Sequence, residues 1–600
     1  MTKVDLRFIF LPGDILLEIL SILPFREILS CASTCRALSE LARNSLHLQY
    51  IIELGAQGLT VSSNQTSIDE KLGLLKARDH LWDGSASFVL ENQNTSCLRR
   101  PPEETGGQGR SWISGGFLCY FSLHQQLASI RELRNSNSRP RFSYVWQADD
   151  TSPEFDASYH VLNMEIDPSS DLLVIVRGKR SLDSDIWIDR SGHTFIIDLR
   201  KISTNEPHPY SAVSSVPCFP YKRLKGDEDN RASLLGLKIS GDHIALLSSV
   251  AYCDSGYDND RYKHHFFPVL MVYNWRTGKA ANGIVLDHSL IDYHLISGES
   301  RFLIVTALLL AVYTYSLEDP IKPPQCQVRY NLPEGNYRPI GFHYSSLPSS
   351  KVSKINQKEY IASNFMAHPE APICVIECEP RYNSPSSPLV PPNVLFVIDS
   401  KIFSPAKSKQ LRELYLTRIS HQSKPKSKRQ RKYEKLDQEQ RRIPWTVWGP
   451  EHSRCFPHHS NCPVAVDGFR MIQAIPLESD PTSDLFHLHL RDFNYRMMSR
   501  LGSRQHAIRE QSLLPSNEYG FAEDVQTSLM YRDAMSLQQF PRSTDRWPSW
   551  MPHHPPALRI CLNEDRILMT KDLLTDGCWA VEWLKVTPMT RTAETPQDKA

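Results

Sequence analysis

The sequence contains little glycine and no closely spaced cysteine pair. Its 600 residues include 26 glycines, against roughly 42 expected from an average usage of about 7%. None of its 13 cysteines forms a Cys-x-x-Cys pair, so the sequence excludes a disulfide framework and predicts a reduced, intracellular protein. Lysine and arginine number 68 against 67 acidic residues, a balance that excludes a strongly basic nucleic-acid coat and an acidic tail protein.

Long apolar runs are also missing. The longest, residues 302–316, is shorter than the roughly 20 residues that cross a bilayer. The apolar start of the chain is interrupted by Pro12, Asp14 and Glu18. We therefore expect neither a membrane partner nor a cleaved signal peptide, and we expect a cytoplasmic or nuclear location.

Motifs for catalysis and nucleotide binding are absent as well. The sequence has no Gly-x-x-x-x-Gly-Lys-[Ser/Thr] loop, no Gly-x-Gly-x-x-Gly loop and no His-Glu-x-x-His pair. A Gly-x-Ser-x-Gly nucleophile elbow is also missing. We therefore expect no enzymatic activity and no cofactor.

One group of histidines and cysteines has spacings that zinc sites use. Two features argue against a metal there: the second ligand pair of a zinc finger is missing, and Pro457 and Pro463 indicate an ordinary loop. We therefore expect no metal site. The group comprises His452, Cys455, His458, His459 and Cys462.

Proline, in contrast, is abundant, and two prolines bracket an apolar helix near the start. The chain has 41 prolines against about 30 expected. Pro12 lies at a helix start, where a missing N–H costs least, and Pro24 ends the segment. Aliphatic residues recur between them at helical spacing, which predicts an apolar stripe. Two short helices follow, and three helices this small cannot form a stable core alone, so the stripe is expected to bind another protein.

The segment LPGDILLEILSILPFREILSCASTCRALSELA resembles an F-box. It has a Leu-Pro start, an aliphatic helix, a Leu-Pro break, a second helix and a Cys-Arg pair, although Thr34 replaces the valine often found before that pair. The resemblance implies an F-box over residues 1–55 that binds a Skp-type adaptor and, through it, a cullin. The alternative is a helical hairpin that packs on the same chain. The implied adaptor-binding residues are Leu11, Pro12, Ile15, Ile19, Leu20, Leu23, Ile28, Leu29, Cys35, Arg36 and Leu38.

Residues 56–110 are predicted to be a helical connector and linker. Ser67 followed by Glu70 is a capping-box pattern, and apolar residues share one face over residues 67–84. This helix either spaces the F-box from the body or packs on the next domain.

From residue 111 onward, short apolar runs bounded by turn residues predict many strands. Five segments have the form strand, polar turn, strand, which is typical of β-hairpins. Most of them are followed by a further strand. The five hairpins cover residues 164–177, 237–249, 297–305, 464–475 and 558–570.

These units resemble degenerate blades of a β-propeller, whose usual period is about 40–45 residues. The extra length lies in residues 201–231, 317–362 and 494–556, where prolines concentrate. Two β-sandwiches are the alternative, but Trp275, in a strand followed by a turn, favours the propeller. Segments such as VYNWRTGK and WGPEHSRCF also resemble the large F-box proteins of mushroom-type fungi.

A block of positive charge lies in a predicted insertion at about residues 403–445. Because like charges repel in a packed element, we expect an exposed segment. It is interpreted as a solvated insertion, a nuclear import signal or a contact to nucleic acid. The block consists of Lys424, Lys426, Lys428, Arg429, Arg431 and Lys432.

Together these patterns predict an α+β multidomain protein with an N-terminal three-helix F-box and a mainly β, propeller-like body over residues 111–600. The predicted function is that of a non-catalytic substrate receptor in a cullin-based ubiquitin ligase. Its partners are expected to be the Skp-type adaptor, the cullin and a target protein. The alternative is a nuclear propeller-type scaffold that binds protein or nucleic acid through the basic insertion.

Overall fold

The first helices begin and end where the sequence has its prolines and small polar residues. In the computed structural model, Pro12 and Pro24 are the residues that precede the first two helices. Cys35 is extended and separates the second helix from the third. The Ser45 hydroxyl then accepts a hydrogen bond from the Leu48 N–H and caps a fourth helix, one more than expected. The four helices are α1 (Gly13–Ser21), α2 (Phe25–Thr34), α3 (Arg36–Asn44) and α4 (Leu46–Ala56).

The structure describes part of the chain, and every structural statement below concerns that part. The described residues are 11–61, 67–82, 87–99, 109–114, 117–122, 127–132, 143–147, 159–167, 170–179, 195–218, 231–253, 264–286, 289–296, 300–335, 337–344, 365–367, 373–381, 393–421, 441–458, 462–476, 485–494, 507–508, 511–519, 521–536, 540–541, 558–563, 566–573 and 578–588.

The connector contains the predicted helix and its capping box. After β1 (Leu59–Val61), the helix α5 (Ile68–Trp82) follows. The Glu70 N–H donates to the Ser67 hydroxyl at 3.2 Å, and the Ser67 N–H donates to the Glu70 carboxylate at 3.1 Å. This reciprocal pair satisfies two donors of the first helical turn.

The body consists of four-stranded antiparallel units, seven of them in the described part of the chain. The unit of β3 (Gly109–Ser114), β4 (Phe117–Ser122), β5 (Leu127–Glu132) and β6 (Ser143–Gln147) is blade 1. Blade 2 contains β7 (Tyr159–Asp167), β8 (Leu172–Lys179), β9 (Phe195–Lys201) and β10 (Ser215–Cys218). Blade 3 contains β11 (Arg231–Ser240), β12 (His243–Cys253), β13 (His264–Asn274) and β14 (Lys279–Ala280), with β15 (Ile284–Val285) beside β13. Blade 4 contains β16 (Leu290–Ile296), β17 (Arg301–Thr306), β18 (Leu309–Thr314) and β19 (Gln325–Asn331).

The remaining blades carry longer connections. Blade 5 contains β20 (Tyr337–Tyr344), β22 (Ile373–Pro380), β23 (Asn393–Asp399) and β25 (Ser453–His458), and its connections include β21 (Phe365–Ala367), α6 (Pro405–His421), β24 (Arg442–Ile443) and α7 (Trp445–His452). Blade 6 contains β26 (Val464–Asp467), β27 (Arg470–Pro476), β28 (Leu485–Asp492) and β32 (Tyr531–Ser536). Between β28 and β32 lie β29 (Ala507–Ile508), β30 (Ser512–Leu514), α8 (Ser516–Tyr519) and β31 (Val525–Thr527), and β33 (Phe540–Pro541) follows β32. Blade 7 contains β34 (Leu558–Asn563), β35 (Arg566–Leu573), β36 (Cys578–Pro588) and β2 (Ser87–Arg99).

The strand β2 joins the beginning of the body to its last blade. It pairs antiparallel with β36, from Phe88 opposite Pro588 to Arg99 opposite Cys578. The first strand of the body therefore completes the last blade, which removes an open sheet edge. Residues 87–99 lie within the predicted connector, but they form this strand.

The first strands of successive blades contact one another in the order β7, β11, β16, β20, β26 and β34. Such a series of inner strands around one axis defines a propeller rather than two packed sandwiches. Four predicted hairpins are confirmed as the first two strands of blades 2, 3, 6 and 7. The fifth, residues 297–305, includes β17 of blade 4, but the strand that pairs with it, β16, lies before the predicted segment. Each of the three predicted insertions contains at least one blade strand: β10 lies in residues 201–231, β19 and β20 lie in residues 317–362, and β32 lies in residues 494–556.

Apolar side chains fill the seams between blades. Separate buried clusters join blade 1 to blade 2, blade 2 to blade 3, and so on to blade 6. Trp275 is buried in the seam between blades 2 and 3, where its indole N–H donates to the Gly241 carbonyl at 2.9 Å. The propeller is thus held by face-to-face packing of its sheets.

The insertion after β23 begins with a 3-10 turn at Ser400–Phe403, continues with α6, and returns through β24, which pairs in parallel with β19. The predicted basic block, Lys424 to Lys432, lies outside the described residues. Among the helices of the described chain, none combines the length and apolar character needed to span a membrane.

Candidate functional site

The four N-terminal helices, α1 to α4, form a helical unit with its own small core. On α1, Leu16 and Leu20 are one turn apart and point inward, as their i and i+4 spacing predicts. The other three helices contribute the remaining buried side chains. The core comprises Leu16, Leu20, Ile28, Leu38, Ala42, Leu48 and Ile52.

The structure divides the predicted adaptor-binding residues into three groups. Leu20, Ile28 and Leu38 lie in the core of the helical unit and are at most 5% exposed. In this structure they belong to the core of the helical unit, and their contact with an adaptor stays a prediction. Ile19, Leu23 and Cys35 are half-buried. Leu11, Pro12, Ile15, Leu29 and Arg36 are exposed.

The most exposed apolar side chain of the unit is one that the sequence analysis missed. Ile22 is 79% exposed, compared with 43% for Ile15 and 44% for Leu29. Ile22 directly follows the last residue of α1 and lies seven residues after Ile15, so the two share one side of the helix, turned away from the buried Leu16 and Leu20. That spacing was the available signal for Ile22. Exposed aliphatic side chains on a unit with a filled core are typical of a binding surface.

Thr34, which replaces the valine often found at this position of an F-box, has a local structural role. Its hydroxyl donates to the Cys31 carbonyl at 2.7 Å and so satisfies an acceptor in the last turn of α2. The neighbouring motif residue Arg36 forms an exposed ion pair with Glu40 at 2.7 Å, one turn along α3. Arg36 therefore lies at the surface with its charge partnered within its own helix.

The structure separates the histidines and cysteines that have zinc-like spacing. Cys455 lies in the seam between blades 4 and 5, whereas His458 contacts Glu377 on the other face of the same strand. His459 lies outside the described residues. Within the described ranges, no group of three or more histidine, cysteine, aspartate or glutamate side chains could hold a metal ion.

The helical unit is attached to one side of the propeller, here called the lower face. In every blade this face carries the connections between the first and second strands and between the third and fourth strands. The strand β1 pairs antiparallel with β21, which lies between the first and second strands of blade 5. The contacts to blade 6 come from Phe469, between its first and second strands, and from Asn494, after its third strand. All three attachments are therefore on the lower face of blades 5 and 6.

Two of these attachments involve individual side chains. Gly58 has a φ of +67°, and a Cβ atom there would overlap the ring of Phe469. Glycine is required at this position by both the backbone conformation and the close approach. Asn494 is 4% exposed, and its side-chain amide donates to the Ala56 carbonyl at 3.1 Å. The carbonyl at the end of α4 is thereby satisfied by the propeller.

A polar chain of contacts crosses the seam between blades 5 and 6. The Glu377 carboxylate lies 3.2 Å from the Nε2 atom of His458 and 3.7 Å from that of His343. His458 Nδ1 lies 3.3 Å from the Gln473 amide, whose oxygen accepts from Arg491. Burial raises the pKa of Glu377, but the polar contacts and charges of the two imidazoles outweigh it and lower this pKa to about 2. Glu377 is therefore an ionised carboxylate in the seam.

Comparison with known proteins identifies the helical unit. The family profile described as F-box-like matches residues 8–50. No curated protein sequence matches the chain. The WD40 domain of SCAP from fission yeast is 7% identical, with a TM-score of 0.29, over 88% of this chain and 97% of that one. The WD40 domain of Toxoplasma gondii coronin is 7% identical, with a TM-score of 0.31, over 83% of this chain and 90% of that one.

At TM-scores this low, the propeller assignment depends on the strand order of the chain itself. The chain joins an F-box-like domain to a propeller-like β body. The match to the F-box-like profile indicates a protein that contacts other proteins.

Proposed function

We propose that this protein is the substrate-recognition subunit of a cullin-based ubiquitin ligase. In this proposal the F-box-like helices bind a Skp-type adaptor and the propeller binds a target protein. The observation that carries the proposal is the exposure of Ile15 and Ile22 on a helical unit whose interior is already filled. These side chains gain buried contacts only when another protein covers them.

The energetics of such a surface favour binding. Full burial of one exposed isoleucine or leucine side chain contributes about 1.5–3 kcal/mol. Ile15, Ile22 and Leu29 together therefore supply enough apolar area for the centre of an interface, while Leu16 and Leu20 support them from within.

The proposed contribution of the protein is proximity. The propeller would hold the target while the helices hold the ligase, so the encounter between target and ligase becomes intramolecular. For a short connection the effective concentration is about millimolar. Such positioning accelerates transfer to a target lysine without any catalytic group on this chain.

The experiment is co-purification of the full chain with a Skp-type adaptor. Ile22→Asp and Ile15→Asp are expected to weaken adaptor binding at least about tenfold, because each would place a charge in an apolar interface. The matched control is Ile321→Asp, since Ile321 is 83% exposed in the propeller connection between β18 and β19. Absence of adaptor binding by the unaltered chain contradicts the proposal, and so does equal loss with the control.

A further inference from the structure

Three contacts described above join the helical unit to blades 5 and 6, and α5 also contacts β36 of blade 7. We propose that Gly58, Phe469 and Asn494 are positioning residues that hold the helical unit rigidly on the lower face of blades 5 and 6. A protein bound by the helices and a protein bound by the propeller then remain at a fixed separation. Only this last consequence depends on the proposed function.

The first contact is a strand pairing between the connector and blade 5. Leu59 pairs with Ala367, Thr60 with Met366 and Val61 with Phe365. Because the partners are about 300 residues apart in the chain, this pairing joins two regions that the covalent connection does not. It fixes the direction in which the chain leaves α4.

The second and third contacts lie on blade 6, beside the end of α4. Gly58 packs against the Phe469 ring, and Asn494 binds the Ala56 carbonyl. Three contacts from three different connections oppose rotation about any one of them. A single-chain tether has no such restraint.

The residues that make these contacts are themselves held in place. The Asn494 N–H donates to the Asp492 carboxylate at 2.9 Å, and Arg532 donates to the same carboxylate at 2.9 Å. The Phe493 N–H donates to the Phe469 carbonyl at 2.9 Å. Both anchors therefore belong to the hydrogen-bonded framework of blade 6, and their positions follow that of the blade.

The helical side is braced in the same way. Gln57, directly after α4, donates to the Leu75 carbonyl on α5 at 2.7 Å and to the Glu53 carboxylate at 3.1 Å. This ties α4 to α5 immediately before Gly58. We call the contacts of Gly58, Phe469 and Asn494 the joint. The joint therefore connects two parts that are each held by their own hydrogen bonds, the helices α4 and α5 and blade 6.

The test uses the full chain with Asn494→Ala or Phe469→Ala. Each change removes one contact, and loss of one hydrogen bond of about 1 kcal/mol corresponds to about fivefold faster local opening. Because only every second N–H of an antiparallel strand points at its partner strand, we expect about fivefold faster hydrogen exchange at those amides of residues 59–61 that donate to β21. Exchange in the core of the blades should be unchanged. The control is Asn282→Ala, whose side chain also donates to a carbonyl, that of Ile321 at 3.0 Å, but within the propeller.

A distance measurement separates rigid positioning from a merely structural role. Fluorophores attached through unnatural amino acids at Arg43 and Leu308, both exposed, report the separation between α3 and blade 4. We expect a narrow distribution in the unaltered chain and a broader one in both joint variants. Phe469→Leu serves as a milder second variant if Phe469→Ala lowers the yield of folded protein. An unchanged distribution and unchanged exchange in Asn494→Ala and in the Phe469 variant overturn the inference.

The functional readout distinguishes this inference from the proposed function. With adaptor and target present, the joint variants should keep both affinities but transfer ubiquitin more slowly than Asn282→Ala. Lower affinity for the adaptor in the joint variants would contradict a purely positioning role. If the unaltered chain binds no adaptor, the proposed function fails, whereas a broader distance distribution in the variants still supports the rigid joint.

Discussion

The helical unit and the propeller differ in how large an apolar core they bury. The seam between blades 4 and 5 buries 25 core residues, whereas the helical unit buries seven and leaves Ile15, Ile22 and Leu29 exposed. A unit with so small an interior is only marginally stable alone. Exposed aliphatic side chains also occur in the propeller, where Ile321 is 83% exposed, but in the helical unit Ile15 and Ile22 lie on one side of a core of only seven residues.

The largest expected effect is in the core of the helical unit. Leu20→Ala should destabilise that unit by about 2–5 kcal/mol, because it removes a side chain that is 1% exposed. Ile22→Ala should change stability by no more than about 0.5 kcal/mol, since Ile22 is 79% exposed. Thermal unfolding followed by helical circular dichroism measures both. Equal destabilisation by the two changes would remove the distinction between inward and outward residues on α1.

The second prediction concerns Glu377 in the polar seam between blades 5 and 6. It tests whether the stability contributed by this seam depends on pH. The pKa of Glu377 is lowered from 4.5 to about 2, so the ionised carboxylate stabilises the folded state by about 3 kcal/mol. This stability is fully present above about pH 4.5 and is lost as the pH falls through about 2. Glu377→Gln should therefore destabilise the protein at neutral pH and flatten the decline in stability below pH 4.5.

Denaturant unfolding at a series of pH values measures this effect. The matched control is Glu379→Gln, because Glu379 lies on the same strand and pairs with the exposed side chain of Arg338. The control should change stability by no more than about 1 kcal/mol, as surface ion pairs usually do. If the free energy of unfolding of Glu379→Gln varied with pH in the same way as that of Glu377→Gln, a special role for Glu377 in the seam would be contradicted.

The smallest effect concerns the fourth helix. Ser45→Ala removes the side chain that caps α4 and should cost about 1 kcal/mol of stability. Ser33→Ala is the control, because its hydroxyl only donates to a carbonyl within α2. A loss confined to the helical unit, with propeller unfolding unchanged, would show that the two regions unfold separately. A simultaneous loss in both would instead show that the joint couples them.

The sequence predicted local structure better than long-range pairing. The hairpins were predictable because short apolar runs flank a turn residue at the corner, such as Gly241 or Gly468, both with positive φ. The strand β2 was not predictable, since its sequence, SFVLENQNTSCLR, is polar in the middle and pairs with β36 at the far end of the chain. Its strand character depends on tertiary pairing.

The candidate site was predicted in part. Helical periodicity located the stripe on α1 but could not decide which of its residues face inward, because that depends on where the other three helices pack. It therefore included Leu20 and omitted Ile22. The joint gave no sequence signal, since Asn494 and Ala56 are 438 residues apart. Nuclear import through the basic block stays a prediction.

The closure of the propeller also orders events during synthesis. The strand β2 is made early, yet its partner β36 begins about 480 residues later, which is about 25–100 s of translation at roughly 5–20 residues per second. During that interval the helical unit has already left the ribosome, while β2 waits without its partner. A chain that stops before β36 would therefore carry a complete F-box-like domain on an incomplete propeller, with an unpaired strand that invites aggregation.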